Sequence, residues 1–169
     1  MTHNKIGNML WNLGVREEGI DGLEEAAASY RLALEVLTRE QYPYDWALGQ
    51  VNLANVLSFA GDRTRELLLV EQAVEGYRVS LQELTRENYP LMWAMVQNNL
   101  GNTLNTIGLR RNDRAFHEQA IQVFTDALQV RTRMKDRGLL AEALKDLGAV
   151  DVEVGDQVAA TGDGIQLVM

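Results

Sequence analysis

The chain has 169 residues, a formal net charge of −8 and no cysteine, and 46% of its residues are hydrophobic. This composition is typical of one folded domain or a short repeat array. The absence of cysteine excludes disulfides, thiolate metal ligands and thiol redox chemistry. The acidic balance argues against binding to nucleic acid or anionic membranes, which requires a basic face. No apolar run reaches the roughly 20 residues that span a bilayer, and the start lacks the core of a signal peptide, so we expect a cytoplasmic protein.

The dominant feature of the sequence is an internal repeat of 47 residues. Residues 38–84 align with residues 85–131 without a gap, and 19 of the 47 positions are identical. The most similar stretches are YPYDWALGQVNLANVLSFAG at 42–61 and YPLMWAMVQNNLGNTLNTIG at 89–108. The period predicts a repeat array over 1–155, with repeats at about 1–37, 38–84 and 85–131, a partial unit at 132–155, and a C-terminal tail at 156–169.

Each repeat is predicted to be a helical hairpin, because its apolar residues recur with three-and-four spacing. Pro43 and Pro90 stand where a first-turn proline is tolerated. Gly14, Gly61 and Gly108 follow the first helix of each unit, where we expect left-handed C-caps. The predicted helices are 4–13, 19–39, 43–60, 65–86, 90–107, 113–134 and 138–154.

The predicted core consists of small residues where helices approach closely and aromatic residues that fill the space between them. The small residues are Ala47, Ala54, Ala73, Ala94, Gly101 and Ala120, and the aromatic residues are Tyr30, Tyr77 and Phe124. Trp46 and Trp93 stand near helix starts, so they either join the core or line the mouth of a groove.

One set of residues resembles the tetratricopeptide signature. Leu100, Gly101, Leu104, Gly108, Ala120, Phe124 and Ala127 stand in its order. The resemblance implies an all-α fold, a right-handed α-solenoid of antiparallel helix pairs with about 3.5 repeats and a concave face lined by the first helices. The 47-residue period departs from the usual 34 residues and is similar to the lengthened units of kinesin light chains and bacterial multi-repeat signalling proteins. Most such arrays bind proteins or extended peptides, so we expect a scaffold rather than an enzyme.

Recurring asparagines are the sharpest functional signal. On the family's pattern the concave face would carry Asn8, Asn52, Asn55, Asn99, Asn102 and Asn105. Asparagine is a poor helix-interior residue, and its carboxamide can pair with a peptide backbone of any sequence. The same amides could instead tie neighbouring helices together, and the sequence leaves both interpretations open. The cations available for charge selectivity are Lys5, Lys145, Arg63, Arg110 and Arg111.

Catalytic, metal and cofactor sites are not indicated. His3 and His117 are far apart in the repeat map, and the carboxylate pairs fall on expected solvated helix faces. The alternative to a peptide-binding scaffold is a self-assembling structural module. The predicted helix 138–154 lacks a partner helix to cover its apolar residues, so we expect a homodimer through this terminal helix by two-fold pairing. Those residues are Leu140, Ala143, Leu144 and Leu147.

Overall fold

The structure is a computed structural model that describes residues 8, 9, 11, 12, 14 and 20–146, with side chains as far as residue 135. Within this part of the chain there are five helices of defined bounds and no strand, which confirms the all-α prediction there. The helices are α1 (Asp21–Val36), α2 (Pro43–Thr64), α3 (Leu67–Ser80), α4 (Pro90–Arg111) and α5 (Arg114–Asp146). Ahead of α1, the backbone is also helical at Asn8, Met9, Trp11, Asn12 and Gly14. None of these described helices is long and apolar enough to cross a membrane.

Helices α2 and α4 are counterparts in the repeat. Each has 22 residues, with Pro43 or Pro90 in its first turn, as the sequence predicted. The preceding residues, Tyr42 and Tyr89, share the same backbone angles, φ −137° and ψ 59°. These matching helices are compatible with a helical repeat.

The prediction of glycine C-caps was wrong. Gly61 and Gly108 lie inside α2 and α4, and the left-handed caps are Arg65 (φ 62°) and Asn112 (φ 49°). The glycines serve close packing instead. A Cβ at Gly61 would lie 2.9 Å from the Glu66 carbonyl oxygen, and one at Gly108 would lie 2.9 Å from the His117 ring.

The core lies where α2 and α4 meet α3, and where α2 meets α1. The first region holds Ala54, Tyr77 and Leu100, and the second holds Ala27, Tyr30 and Val56. Tyr30 and Tyr77 are each 2% exposed, which confirms their prediction as core residues. All the predicted small contact residues are buried as well: Ala47, Ala54, Ala73, Ala94, Gly101 and Ala120.

The third hairpin differs from the prediction of separate helices at 113–134 and 138–154. Helix α5 runs without a break from Arg114 to Asp146. Gly138 lies inside this helix. One glycine costs a helix only about 1 kcal/mol, so Gly138 does not by itself end the helix. The surface predicted to pair between chains falls on residues whose side chains lie outside the described set, and Leu147 lies outside it entirely. The chain forms two compact units, Met1–Ala127 and Leu128–Met169.

Candidate peptide-binding surface

Helices α2 and α4 each place two asparagines one turn apart on a face that is not fully buried. Asn52, Asn55 and Asn99 are half-buried, and Asn102 is exposed. The three-residue spacing puts each pair on one side of its helix. We call the surface formed by these four residues the amide face.

Asn55 links three helices. Its Oδ1 accepts a hydrogen bond from the Tyr77 hydroxyl of α3 at 2.7 Å and another from Nδ2 of Asn99 in α4 at 3.0 Å. Because an amide oxygen has two lone pairs, these bonds fill its accepting capacity. The Nδ2 group of Asn55 and the Oδ1 atom of Asn99 are then the groups with which the two amides can meet a ligand.

The first repeat forms the same bond from tyrosine to asparagine, and the third cannot. Tyr30 donates to Oδ1 of Asn8 at 2.5 Å, and both tyrosines stand 22 residues after their asparagines. At that spacing from Asn102 stands Phe124, which has no hydroxyl. Asn102 therefore lacks the tyrosine bond that Asn8 and Asn55 accept. The change from tyrosine to Phe124 in the sequence could have indicated this difference.

The remaining predicted site residue, Asn105, lies apart from the amide face. It is exposed, and its Oδ1 lies 2.8 Å from Nδ1 of His117 in α5. An amide oxygen can only accept, so His117 donates through Nδ1. Asn105 thus holds α4 to the first turn of α5.

The contact between α2 and α4 is polar beneath the amide face. Thr103, which is 2% exposed, lies 3.0 Å from the Ser58 hydroxyl and donates to the Asn99 carbonyl at 2.9 Å. The positions 47 residues earlier are Val56 and Trp11. The Thr103 hydroxyl therefore has a partner within α4 and also makes a polar link to α2 through Ser58.

The described arginines that the sequence offered for charge selectivity contact neighbouring repeats instead. Arg63 donates to the Gly14 carbonyl and Arg110 to the Gly61 carbonyl, both at 3.0 Å. Arg110 also pairs with Asp62, and Arg111 pairs with Glu71. Lys5 lies outside the described residues, and only the backbone of Lys145 is described.

Aromatic residues form a second exposed surface, which sequence reasoning missed. Tyr44 and Tyr89 lie with their ring centroids 4.9 Å apart, and Tyr42 and Leu91 are exposed nearby in sequence. Trp46 and Trp93 are half-buried. Arg39 lies over Trp46 at 5.4 Å, and Arg86 lies over Trp93 at 5.6 Å. The triplets YPY at 42–44 and YPL at 89–91 are the sequence features that could have indicated the exposed aromatic surface.

A cavity of about 310 Å³ lies among α1, α2 and α3. Arg31, Gln50, Gln72 and Glu75 give it polar groups, and Leu53, Ala54, Leu57, Gly76 and Val79 complete its lining. None of the four amides that define the amide face lines it. The sequence pattern gave no indication of this cavity, because one wall, α1, comes from the first repeat and the other two, α2 and α3, come from the second.

The buried tyrosines make stability sensitive to alkali. Burial raises the pKa of Tyr30 to about 12, and burial also raises the pKa of Tyr77, against which the Thr103 hydrogen bond works. In the unfolded chain tyrosine ionises near pH 10. The stabilisation is therefore complete below about pH 10 and is lost as the pH rises through the folded-state pKa values, because the unfolded chain releases these protons first.

We expect the melting temperature to fall steeply above about pH 10, and the fall to be shallower in the variant Tyr30→Phe/Tyr77→Phe. The exposed Tyr42→Phe change is the matched control and should leave the steepness unchanged. Thermal melts recorded by circular dichroism measure this. Equal steepness in wild type and the double variant would contradict the assignment.

The described part of the chain has no cluster of metal-ligating side chains. No three His, Asp or Glu side chains come together there in a way that could hold an ion. Comparison with known protein families found no family that matches this chain, and comparison with curated proteins found no similar sequence.

Proposed function

We propose that this chain is a cytoplasmic scaffold that binds extended peptide segments of other proteins through the amide face of a tetratricopeptide-like array. The proposal includes the right-handed solenoid arrangement of about 3.5 repeats that the resemblance implies. One observation carries it: the hydrogen bond from Asn99 to Asn55 orients two carboxamides so that one offers a donor and the other an acceptor.

This pairing matches the chemistry of a peptide unit. A peptide group has one N–H donor and one C=O acceptor, and an extended segment has no internal partners for them. Nδ2 of Asn55 can donate to a peptide carbonyl, and Oδ1 of Asn99 can accept from a peptide N–H. Since Tyr77 and Asn99 fix the Asn55 amide, less conformational entropy is lost when a ligand binds.

The surroundings of the amides suit a peptide recognised by its backbone. Half-buried apolar side chains stand one turn away, Leu48 and Phe59 on α2 and Met95 on α4. In an extended peptide alternate side chains point the same way, so these residues can contact every second side chain. Arg63 and Arg110 already donate to backbone carbonyls, so charge is expected to contribute little selectivity.

The test uses peptides selected on the purified chain from a random-sequence display library. Asn102→Ala should weaken the binding of a selected synthetic peptide about tenfold, or about 1.4 kcal/mol, without changing the melting temperature, because Asn102 is exposed. Fluorescence anisotropy of the labelled peptide gives the dissociation constants.

The matched control is Asn88→Ala, which removes an exposed amide in the turn between α3 and α4. This variant should bind like wild type. Asn55→Ala is unsuitable as a binding test, because it also leaves the buried Tyr77 hydroxyl without its acceptor. Equal affinities for wild type and Asn102→Ala would refute recognition by the amide face.

A further inference from the structure

Two apolar side chains within Met1–Ala127 are exposed at positions where the other repeats have buried side chains. Met9 is 55% exposed, whereas its counterparts at 47-residue spacing, Val56 and Thr103, are 1% and 2% exposed. Ile121 is 65% exposed, whereas its counterparts, Ala27 and Val74, are 5% and 6% exposed. Met9 and Ile121 are therefore exposed on helix faces that are covered at the equivalent positions of the other repeats.

The internal contacts show what covers these faces. Ala27 of α1 and Val56 of α2 belong to one buried cluster. Leu34, two turns after Ala27 on the same face of α1, lies 2.9 Å from the Cβ position of Gly49 in α2. The second helix of a repeat is thus covered at this position by the first helix of the next repeat.

The same holds in the opposite direction. Val56 packs with the residues of the first repeat, and Thr103 of α4 is bonded to Ser58 of α2. The face that carries Val56 and Thr103 is therefore covered by the preceding repeat. Within the described residues, this face is exposed at Met9, and the face that a next first helix would cover is exposed at Ile121.

The two exposed faces are complementary. Within the chain, Ala27, the equivalent of Ile121, packs in one cluster with Val56, the equivalent of Met9. The Ile121 face includes Asn102 and Asn105, which correspond to Asn55 and Ser58, and those two residues bond to α4. Met9 is equivalent to Thr103, which lies on the side of α4 that makes the contact with Ser58. The sequence also has Arg16 at the position of Arg63 and Arg110, which donate to carbonyls of the preceding repeat.

We propose that copies of this chain stack head to tail, with the Ile121 face of one copy on the Met9 face of the next. Ile121 and Met9 then take the places of Ala27 and Val56. The contact joins two different surfaces, so it does not close as a two-fold pair and further copies can add. The proposal does not depend on peptide binding. In such a stack Asn102 takes the place of Asn55, so the amide face continues from one copy to the next.

The test measures the mass of the purified full chain by sedimentation equilibrium from micromolar to near-millimolar concentration. The average mass of the wild type should rise past that of a dimer. Met9→Glu and Ile121→Glu should each be monomeric, because each blocks one face. An equimolar mixture of the two variants should form a one-to-one dimer and nothing larger, since one intact face of each kind remains.

Leu68→Glu is the matched control, because Leu68 is also 65% exposed and the change of charge is the same. It should assemble like wild type, and circular dichroism should show the same helical content in all variants. A wild type that stays monomeric, a mass that stops at a dimer, or a mixture no heavier than its components would each overturn head-to-tail stacking. A mass that stops at a dimer would favour two-fold pairing.

Discussion

Tyr77→Ala should lower the free energy of unfolding by about 3–5 kcal/mol, the usual range for an aromatic ring removed from a packed interior. Tyr77 is 2% exposed and lies in the core cluster shared by α2, α3 and α4. Its hydroxyl also donates to Asn55, whose amide receives Asn99 from the next repeat. The substitution therefore removes apolar contacts and a polar link across the repeat boundary together.

Tyr42→Ala is the matched control, since Tyr42 is 49% exposed. A surface change of this kind usually alters stability by no more than about 0.5 kcal/mol. Urea titrations followed by circular dichroism give both values. Similar losses from the two variants would show that the α3 core face has been misassigned.

Gly61→Val should destabilise the protein by about 3 kcal/mol, at the upper end of the usual cost of overpacking. A Cβ atom at this position would lie 2.7 Å from Cγ2 of Val70 and 2.9 Å from the Glu66 carbonyl oxygen. The carbonyl is part of the backbone just before α3, so it cannot rotate away as a side chain can. Helices α2 and α3 would have to separate.

Gly108→Val is the matched comparison in the next repeat. There the nearest atoms belong to the half-buried ring of His117. The ring can rotate away, but it then loses its hydrogen bond to Asn105. We expect a loss of about 1 kcal/mol, the net value of an ordinary hydrogen bond. If Gly108→Val proved as costly as Gly61→Val in urea titration, the distinction between backbone and side-chain neighbours would be wrong.

The sequence predicted those features that depend on residues near each other in the repeat. The period placed α2 and α4 and their first-turn prolines, and apolar spacing placed Tyr30 and Tyr77 in the core. It failed where the role of a residue depends on how closely the adjacent helix packs against it. Gly61 looked like a cap because glycine favours left-handed backbone, but the structure uses its missing Cβ against α3.

The candidate site shows the same limit. Composition and spacing indicated the asparagines, but the different roles of Asn55 and Asn102 depend on partners in other helices. The sequence offered Arg111 as a cation for charge selectivity, but it pairs with Glu71 and lies over Phe116. The pairing of Arg111 with Glu71 joins residues 40 apart in the sequence, and the local pattern does not encode it.

The most direct test of peptide recognition is a titration of the ¹⁵N-labelled chain with a library-selected peptide, following the side-chain amide resonances. The side-chain NH₂ signals of Asn52, Asn55, Asn99 and Asn102 should shift on binding. Those of Gln50 and Gln72, which line the separate cavity, should stay in place. Shifts confined to Gln50 and Gln72, with the four asparagine signals unmoved, would contradict the assignment of the amide face as the peptide-binding surface.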